Sequence, residues 1–195
     1  SDDLANGASF DNDDKTDQVF NIHLEHATKT NVRNAKEDKT VTRTIKYHYA
    51  GTTKDAAPAK VQTIKFEAYD TIDQVTGKTV NTTYSPVSQQ FASVKSPVIS
   101  GYTASQSEVS AQTVDSNTQD QTVTITYTAN AQKATINYVD DTTGKTINSE
   151  AISGHTGDKI ADPTEAITNY EKQGYKLVSD DLANGASFDN DDKTD

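Results

Sequence analysis

The chain of 195 residues has no Cys, no Met and no Trp. Without Cys there are no disulfides and no thiolate metal sites, and the redox compartment leaves no trace in the sequence. Leu is also scarce, with four residues against 25 Val and Ile together. Basic charge is in deficit: 18 Lys and Arg face 29 Asp and Glu, for a net charge of -11. Phosphate neutralisation needs clustered cations, so a nucleic-acid binder is excluded, and so is a polybasic membrane-surface module. No apolar run approaches the roughly 18 residues of a transmembrane helix. Nothing at the start reads as a signal peptide.

Leu, Ile, Val and Phe make up only 17% of the chain. Alone, with this charge, that composition is the signature of disorder. The rest points elsewhere. There are 29 Thr and nine Tyr, and these residues, with Val and Ile, suit a pleated, half-buried surface. The expectation is thin β modules with small cores.

Repeats organise the chain. Ser1–Asp17 reads SDDLANGASFDNDDKTD, and Ser179–Asp195 reads the same without a mismatch, at an offset of 178 residues. Solenoid periods are roughly 20–50 residues. The longer offset is the size of whole domains, which suggests one period of a tandem array. A weaker repeat lies inside it. Thr44-Ile45-Lys46-Tyr47 resembles Thr135-Ile136-Asn137-Tyr138, and Gly77-Lys78-Thr79 resembles Gly144-Lys145-Thr146. Gly101-Tyr102 resembles Gly174-Tyr175, and Asp120-Gln121-Thr122-Val123-Thr124-Ile125 resembles Asp17-Gln18-Val19-Phe20-Asn21-Ile22. Two modules per period follow. Residues 1–39 would be the tail of a preceding module and a linker, 40–130 an all-β module, and 131–195 a second module lacking its last strand. The short connection from Tyr127 to Ala134 would set the two small modules end to end.

Alternation of apolar and polar residues marks strands with one wet face. It is seen at Phe20, Ile22 and Leu24; at Ile45, Tyr47 and Tyr49; at Ile64, Phe66 and Ala68; at Val123, Ile125 and Tyr127; and at Ala134, Ile136 and Tyr138. One helix is predicted over 163–173, with Asp162 as cap, Pro163 in the first position and Glu165 completing a capping box. Ala166, Ile167 and Tyr170 then share a face. A strand is expected over 175–178. The second module thus reads as hairpin, helix and strands.

Tests for chemistry return little. The Gly-Lys-Thr triplets lack the glycine that a phosphate loop needs five residues earlier, where Ile72 and Val139 stand, so hairpin turns are predicted. His23 and His26 would point to opposite faces of a strand, and His23, His26, His48 and His155 read as solvated. Asp11, Asp13, Asp14 and Asp17 are candidate ligands for calcium, a hard cation that takes several oxygens. They lack the loop glycine and terminal Glu of an EF-hand, and a solvated acidic turn accounts for them equally. No catalytic order of nucleophile and base is present, and no other cofactor is suggested.

The second module runs Ile136-Asn137-Tyr138-Val139-Asp140, Gly144-Lys145, Gly154 and Gly157, and ends Tyr170-Glu171-Lys172-Gln173-Gly174-Tyr175-Lys176-Leu177-Val178. This resembles the mucin-binding module (MucBP) of Gram-positive surface proteins. Val41 to Tyr127, with Ser96-Pro97-Val98-Ile99-Ser100-Gly101-Tyr102, resembles its companion β module. Together they resemble a mucus-binding (Mub) repeat of lactobacilli. The resemblance implies a mainly β fold whose second module is β-grasp-like (ubiquitin-like) with one helix. It implies a non-catalytic adhesin repeat on the bacterial cell surface, extracellular and wall-anchored through another region. The implied partners are mucin glycoproteins, through their glycans, and neighbouring repeats. Immunoglobulin binding, or a passive spacer role, are the alternatives. It supplies no ligand-contact residues.

Overall fold

The computed structural model describes residues 7, 9, 12, 15, 17–182 and 185–190. Its elements in chain order are β1 (Thr28–Arg33), β2 (Lys39–Tyr49), β3 (Asp55–Asp73), β4 (Thr79–Ser85), β5 (Ser88–Phe91), β6 (Val94–Lys95) and β7 (Tyr102–Ala104). Then come β8 (Glu108–Val109), β9 (Gln112–Asp115), β10 (Gln121–Ala129), β11 (Ala131–Asp140), β12 (Lys145–His155), β13 (Lys159–Ile160), α1 (Thr164–Lys172) and β14 (Ala186–Ser187). A single 3-10 turn at Ala35–Glu37 is the one other helical piece among the described residues. The fold is mainly β. Two compact units partition it: Ser1–Val41, Ile64–Gln89 and Val114–Thr118 form one, and Thr42–Thr63, Gln90–Thr113 and Gln119–Asp195 the other.

In the first unit the second half of β3 pairs antiparallel with β1 and with β4. Phe66 and Ala68 alternate with Lys65 and Glu67 along β3, and both are fully buried. Polar residues fix its margin. The Arg33 guanidinium grips Asp38 with two hydrogen bonds, of 2.6 and 2.7 Å, while Lys65 approaches at 2.8 Å and the Ala68 amide donates at 3.0 Å. These donors, Arg33 first, hold the Asp38 carboxyl well below the usual carboxylate range. Asp70, also buried, accepts from Thr82, Asn34 and Thr79, which lowers its pKa.

In the second unit β2 lies between the first half of β3 and β10, and β7 follows β10. The β2–β10 pairing is parallel, with Val123 opposite Ile45 and Ile125 opposite Tyr47. Period 2 puts Ile45, Tyr47, Ile125 and Tyr127 on one face, where Val109 joins them in a core. The Tyr127 hydroxyl donates to the Pro97 carbonyl at 2.6 Å, so the buried phenol is satisfied. The same phase brings Arg43 inside at 1% exposure. Its guanidinium donates to Gln62 Oε1, Ser110 O and Ala92 O and lies 4.9 Å from the Phe91 ring centroid. Neutral acceptors carry the charge, and desolvation lowers the Arg43 pKa.

The hairpin β11–β12 follows, then β13, α1 and β14 paired with β13. Asn130 stitches this segment to β7: its amide donates to Gly101 O at 2.8 Å, and the Thr156 amide donates to Asn130 O at 3.0 Å. Gly101 has a φ of +77°, and a Cβ there would meet Thr156 Oγ1 at 2.9 Å, so only glycine fits.

Three sequence expectations are corrected. Residues 18–26 form no strand: a single bridge at Ile22 is all that appears, and Leu24 is 90% exposed. Residues 175–178 also form none, and the Tyr175 amide instead donates to the Tyr170 carbonyl behind the helix. Alternation produces a strand only where a ladder partner exists. The helix begins at Thr164, one residue late, with Pro163 in the cap position and no side-chain cap bond. Asp162 accepts from the Thr164 hydroxyl at 2.7 Å, which occupies the carboxylate expected to cap.

Candidate functional site

The two Gly-Lys-Thr triplets are turns. Gly77 and Gly144 take φ of +69° and +67°, and each donates its amide to the carbonyl of an aspartate four residues back, Asp73 and Asp140. Each carboxylate caps its turn, Asp73 by accepting the amides of Val75 and Thr76, and Asp140 by accepting from Thr142 and Thr143. The Thr76 amide and then the His26 ring lower the Asp73 pKa to about 2. The turns resemble each other, yet Gly77 joins β3 to β4 whereas Gly144 joins the hairpin β11–β12. In the first module β3 lies between β2 and the Gly77 turn, whereas β11 runs directly into the Gly144 turn.

The hairpin presents two unlike faces. On one, Ile136 and Tyr138 look towards α1. Tyr138 and Tyr170 ring centroids lie 5.1 Å apart, and Tyr170 and Tyr175 meet edge-on at 5.9 Å. A cleft of ≈ 940 Å³ opens here, lined by Ile136, Tyr138, Ile167 and Tyr170 and also by Asp140, Asp141 and Glu171. Burial, with the 3.2 Å hydrogen bond to Glu150, pushes the Tyr138 hydroxyl up, so it stays a donor. Among the described residues beyond Gln132, Phe188 is the one buried apolar side chain. The cleft's lining mixes apolar and acidic side chains.

The other face is polar. The register sets Lys133 against Ser153, Thr135 against Ala151, Asn137 against Ser149 and Val139 against Thr146. All eight are exposed. None is acidic, although the chain as a whole carries -11. The Ser149 hydroxyl donates to Asn137 Oδ1 at 2.6 Å, which orients the amide. Hydroxyl and amide groups both donate and accept, as sugar hydroxyls do.

Of the candidate calcium ligands, Asp17 is exposed, while Asp11, Asp13 and Asp14 lie outside the described residues. The described residues contain no group of three or more His, Asp or Glu fit to hold a metal ion. The histidines are dispersed. His23 is exposed, His26 Nδ1 lies 2.7 Å from Asp73, and His155 lies 3.4 Å from Asp158. His48 departs from the expected solvated state: it is half-buried, 3.0 Å from Asp55. Sequence reasoning missed the buried Arg43, although its place two residues before Ile45 and two after Val41 gave the inward phase. It also missed Phe188, which seats against Gly154.

The fold is that of small, mainly β modules. The chain belongs to the Muc B2-like domain family, matched over residues 32–131, and residues 132–195 match the mucin binding domain family. The type 2 repeat of the mucus binding protein MUB from Lactobacillus reuteri is 31% identical, covering 67% of this chain and 73% of that one, with a TM-score of 0.45. The mucin-binding domain of Spr1345 from Streptococcus pneumoniae is 28% identical over 53% of this chain and 97% of that one, TM-score 0.43. The MucBP domain of the adhesion protein from Pediococcus pentosaceus is 36% identical over 47% and 98%, TM-score 0.41. No curated protein matches significantly. No helix among the described residues is long and apolar enough to cross a membrane.

Proposed function

We propose that this chain is a non-catalytic adhesin module of the bacterial cell surface that binds mucin glycans on the polar face of β11–β12. The observation that carries this reading is the acid-free face of eight exposed residues, within the segment that matches the mucin binding domain. Mucin glycans often end in anionic sugars, and a net charge of -11 opposes their approach at long range. Contact then belongs where carboxylates are absent and hydrogen-bonding groups are dense. The cleft beside α1 is lined by several carboxylates, among them Asp140, Asp141, Glu171 and Asp180, which oppose an anionic sugar. One flat face binds weakly, and tandem copies raise retention through effective concentration.

The test is binding of the chain to immobilised intact mucin, deglycosylated mucin and immunoglobulin. Retention on intact mucin that is lost on deglycosylation supports the reading. Retention on immunoglobulin alone, or on none of the three, overturns it in favour of an antibody-binding module or a spacer.

A further inference from the structure

A second surface in the chain has the features that mark the β11–β12 face: dense hydrogen-bonding groups and no unpaired carboxylate. Period 2 buries Ile45, Tyr47, Ile125 and Tyr127, so the residues between them form the opposite face of the β2–β10–β7 sheet. The registers set Thr124 against Lys46, Thr126 against His48, and Thr128 against Thr103. Lys46, Thr124, Thr128 and Thr103 are exposed, while Thr126 and His48 are half-buried. Both β2 and β10 have a strand on each side, so this is the flat face of paired strands and not an edge.

The groups on it are available. Among the described residues the hydroxyls of Thr124, Thr126 and Thr128 have no partner, and Lys46 has no ion pair. A threonine hydroxyl donates and accepts, as sugar hydroxyls do. The acids nearby are engaged: Asp55 lies 3.0 Å from His48 Nδ1, and Asp120 accepts the Thr42 amide at 2.7 Å. Lys46 is thus an unopposed cation on a chain of net charge -11. The internal repeat adds an independent argument. Thr44-Ile45-Lys46-Tyr47 answers Thr135-Ile136-Asn137-Tyr138, so Lys46 holds the place that Asn137 holds on the β11–β12 face. The two surfaces also adjoin. Asn130 alone separates β10 from β11, and the Thr103 hydroxyl donates to its Oδ1 at 2.7 Å.

We propose that Lys46, Thr124, Thr126, Thr128 and Thr103 form a second glycan site, in the segment that matches the Muc B2-like domain. It takes an acidic sugar of a mucin-type glycan, with the anionic group on Lys46 and the sugar hydroxyls on the threonines. The cation sets its preference: a lysine stands here where the hairpin face has a neutral Asn137. That the glycan comes from mucin rests on the reading of the β11–β12 face, whereas the preference for an acidic sugar rests on Lys46 and its surroundings. Each chain then carries two adjoining contacts, which raises retention through effective concentration even before copies are joined.

The test is titration of the isotopically labelled full chain with O-glycans released from mucin, separated into acidic and neutral fractions, with amide shifts as the readout. The acidic fraction should shift Lys46, Thr124, Thr126 and Thr128 saturably, and bind there more tightly than the neutral fraction. K46Q should weaken binding at these residues roughly tenfold and leave the shifts on β11–β12 unchanged. T135E/S149D should do the reverse. T124E, at an exposed position, should act as K46Q does, and the circular dichroism of all three variants should match the parent. Shifts confined to β11–β12 overturn this proposal and leave the first reading standing. Shifts confined to β2 and β10 support it and overturn the first reading, and shifts on neither face overturn both. Unchanged binding by K46Q, or equal affinity for the two fractions at this face, also overturns it.

Discussion

Gly154 and Phe188 form the contact on which the later copy of the 17-residue segment is held, and a double-mutant cycle measures it. Phe188 is 7% exposed, and a Cβ on Gly154 would meet its ring, with Cδ2 at 2.7 Å. The backbone of Gly154 is not in the left-handed region and pairs with Gln132 in the hairpin ladder, so alanine is acceptable there apart from the ring. Burying a Phe side chain contributes about 2–3 kcal/mol. Phe188→Ala should therefore destabilise the second module by about that amount, and Gly154→Ala, which expels the ring, by nearly as much. The double variant should cost no more than Phe188→Ala alone, a coupling of about 2 kcal/mol. Urea unfolding followed by tyrosine fluorescence gives the free energies, and amide exchange at Lys159 and Ile160 localises the change. Single effects that add to within about 0.5 kcal/mol would refute the packing argument.

Three further outcomes are expected. Arg43→Met should destabilise the first module by about 1–3 kcal/mol in thermal or urea melts, because the part-buried Ser110 O and Gln62 Oε1 lose their charged donor. Stability should hold down to about pH 4 and fall below it. Asp73 (about 2) and Asp38 have pKa values lowered in the fold, so their contribution is present above the unfolded value near 4 and is lost as pH drops through the folded values; circular dichroism across an acid titration checks this, and Asp73→Asn should flatten the acid limb. Mucin retention should strengthen from pH 7 towards about 4.5, where carboxylates begin to neutralise and the fold persists, and also with moderate salt at neutral pH, with four copies retained better than one. Steadily weaker retention on acidification with the fold intact would contradict it.

Much of the fold was legible because period-2 alternation is written plainly in threonine-rich strands. Val123, Ile125 and Tyr127 against Ile45, Tyr47 and Tyr49 gave the first core, and the Gly144 turn gave the hairpin. The same signal misled at Phe20, Ile22 and Leu24, since alternation records a strand's faces and says nothing of its partner. Arg43 is not legible from its charge, because carbonyl acceptors on neighbouring segments carry its guanidinium indoors. The polar hairpin face required the β11–β12 register: only pairing shows that Asn137 and Ser149 meet and that the acids nearby fall elsewhere.

The central claim is that the β11–β12 face meets the glycan. The direct measurement is retention on intact mucin of T135E/S149D beside A59E/V61D, which adds the same charge at exposed positions of β3. The face variant should lose roughly tenfold or more in affinity, about 1.4 kcal/mol, while the β3 variant stays near the parent. Equal losses in both, or an unchanged face variant, would contradict the account.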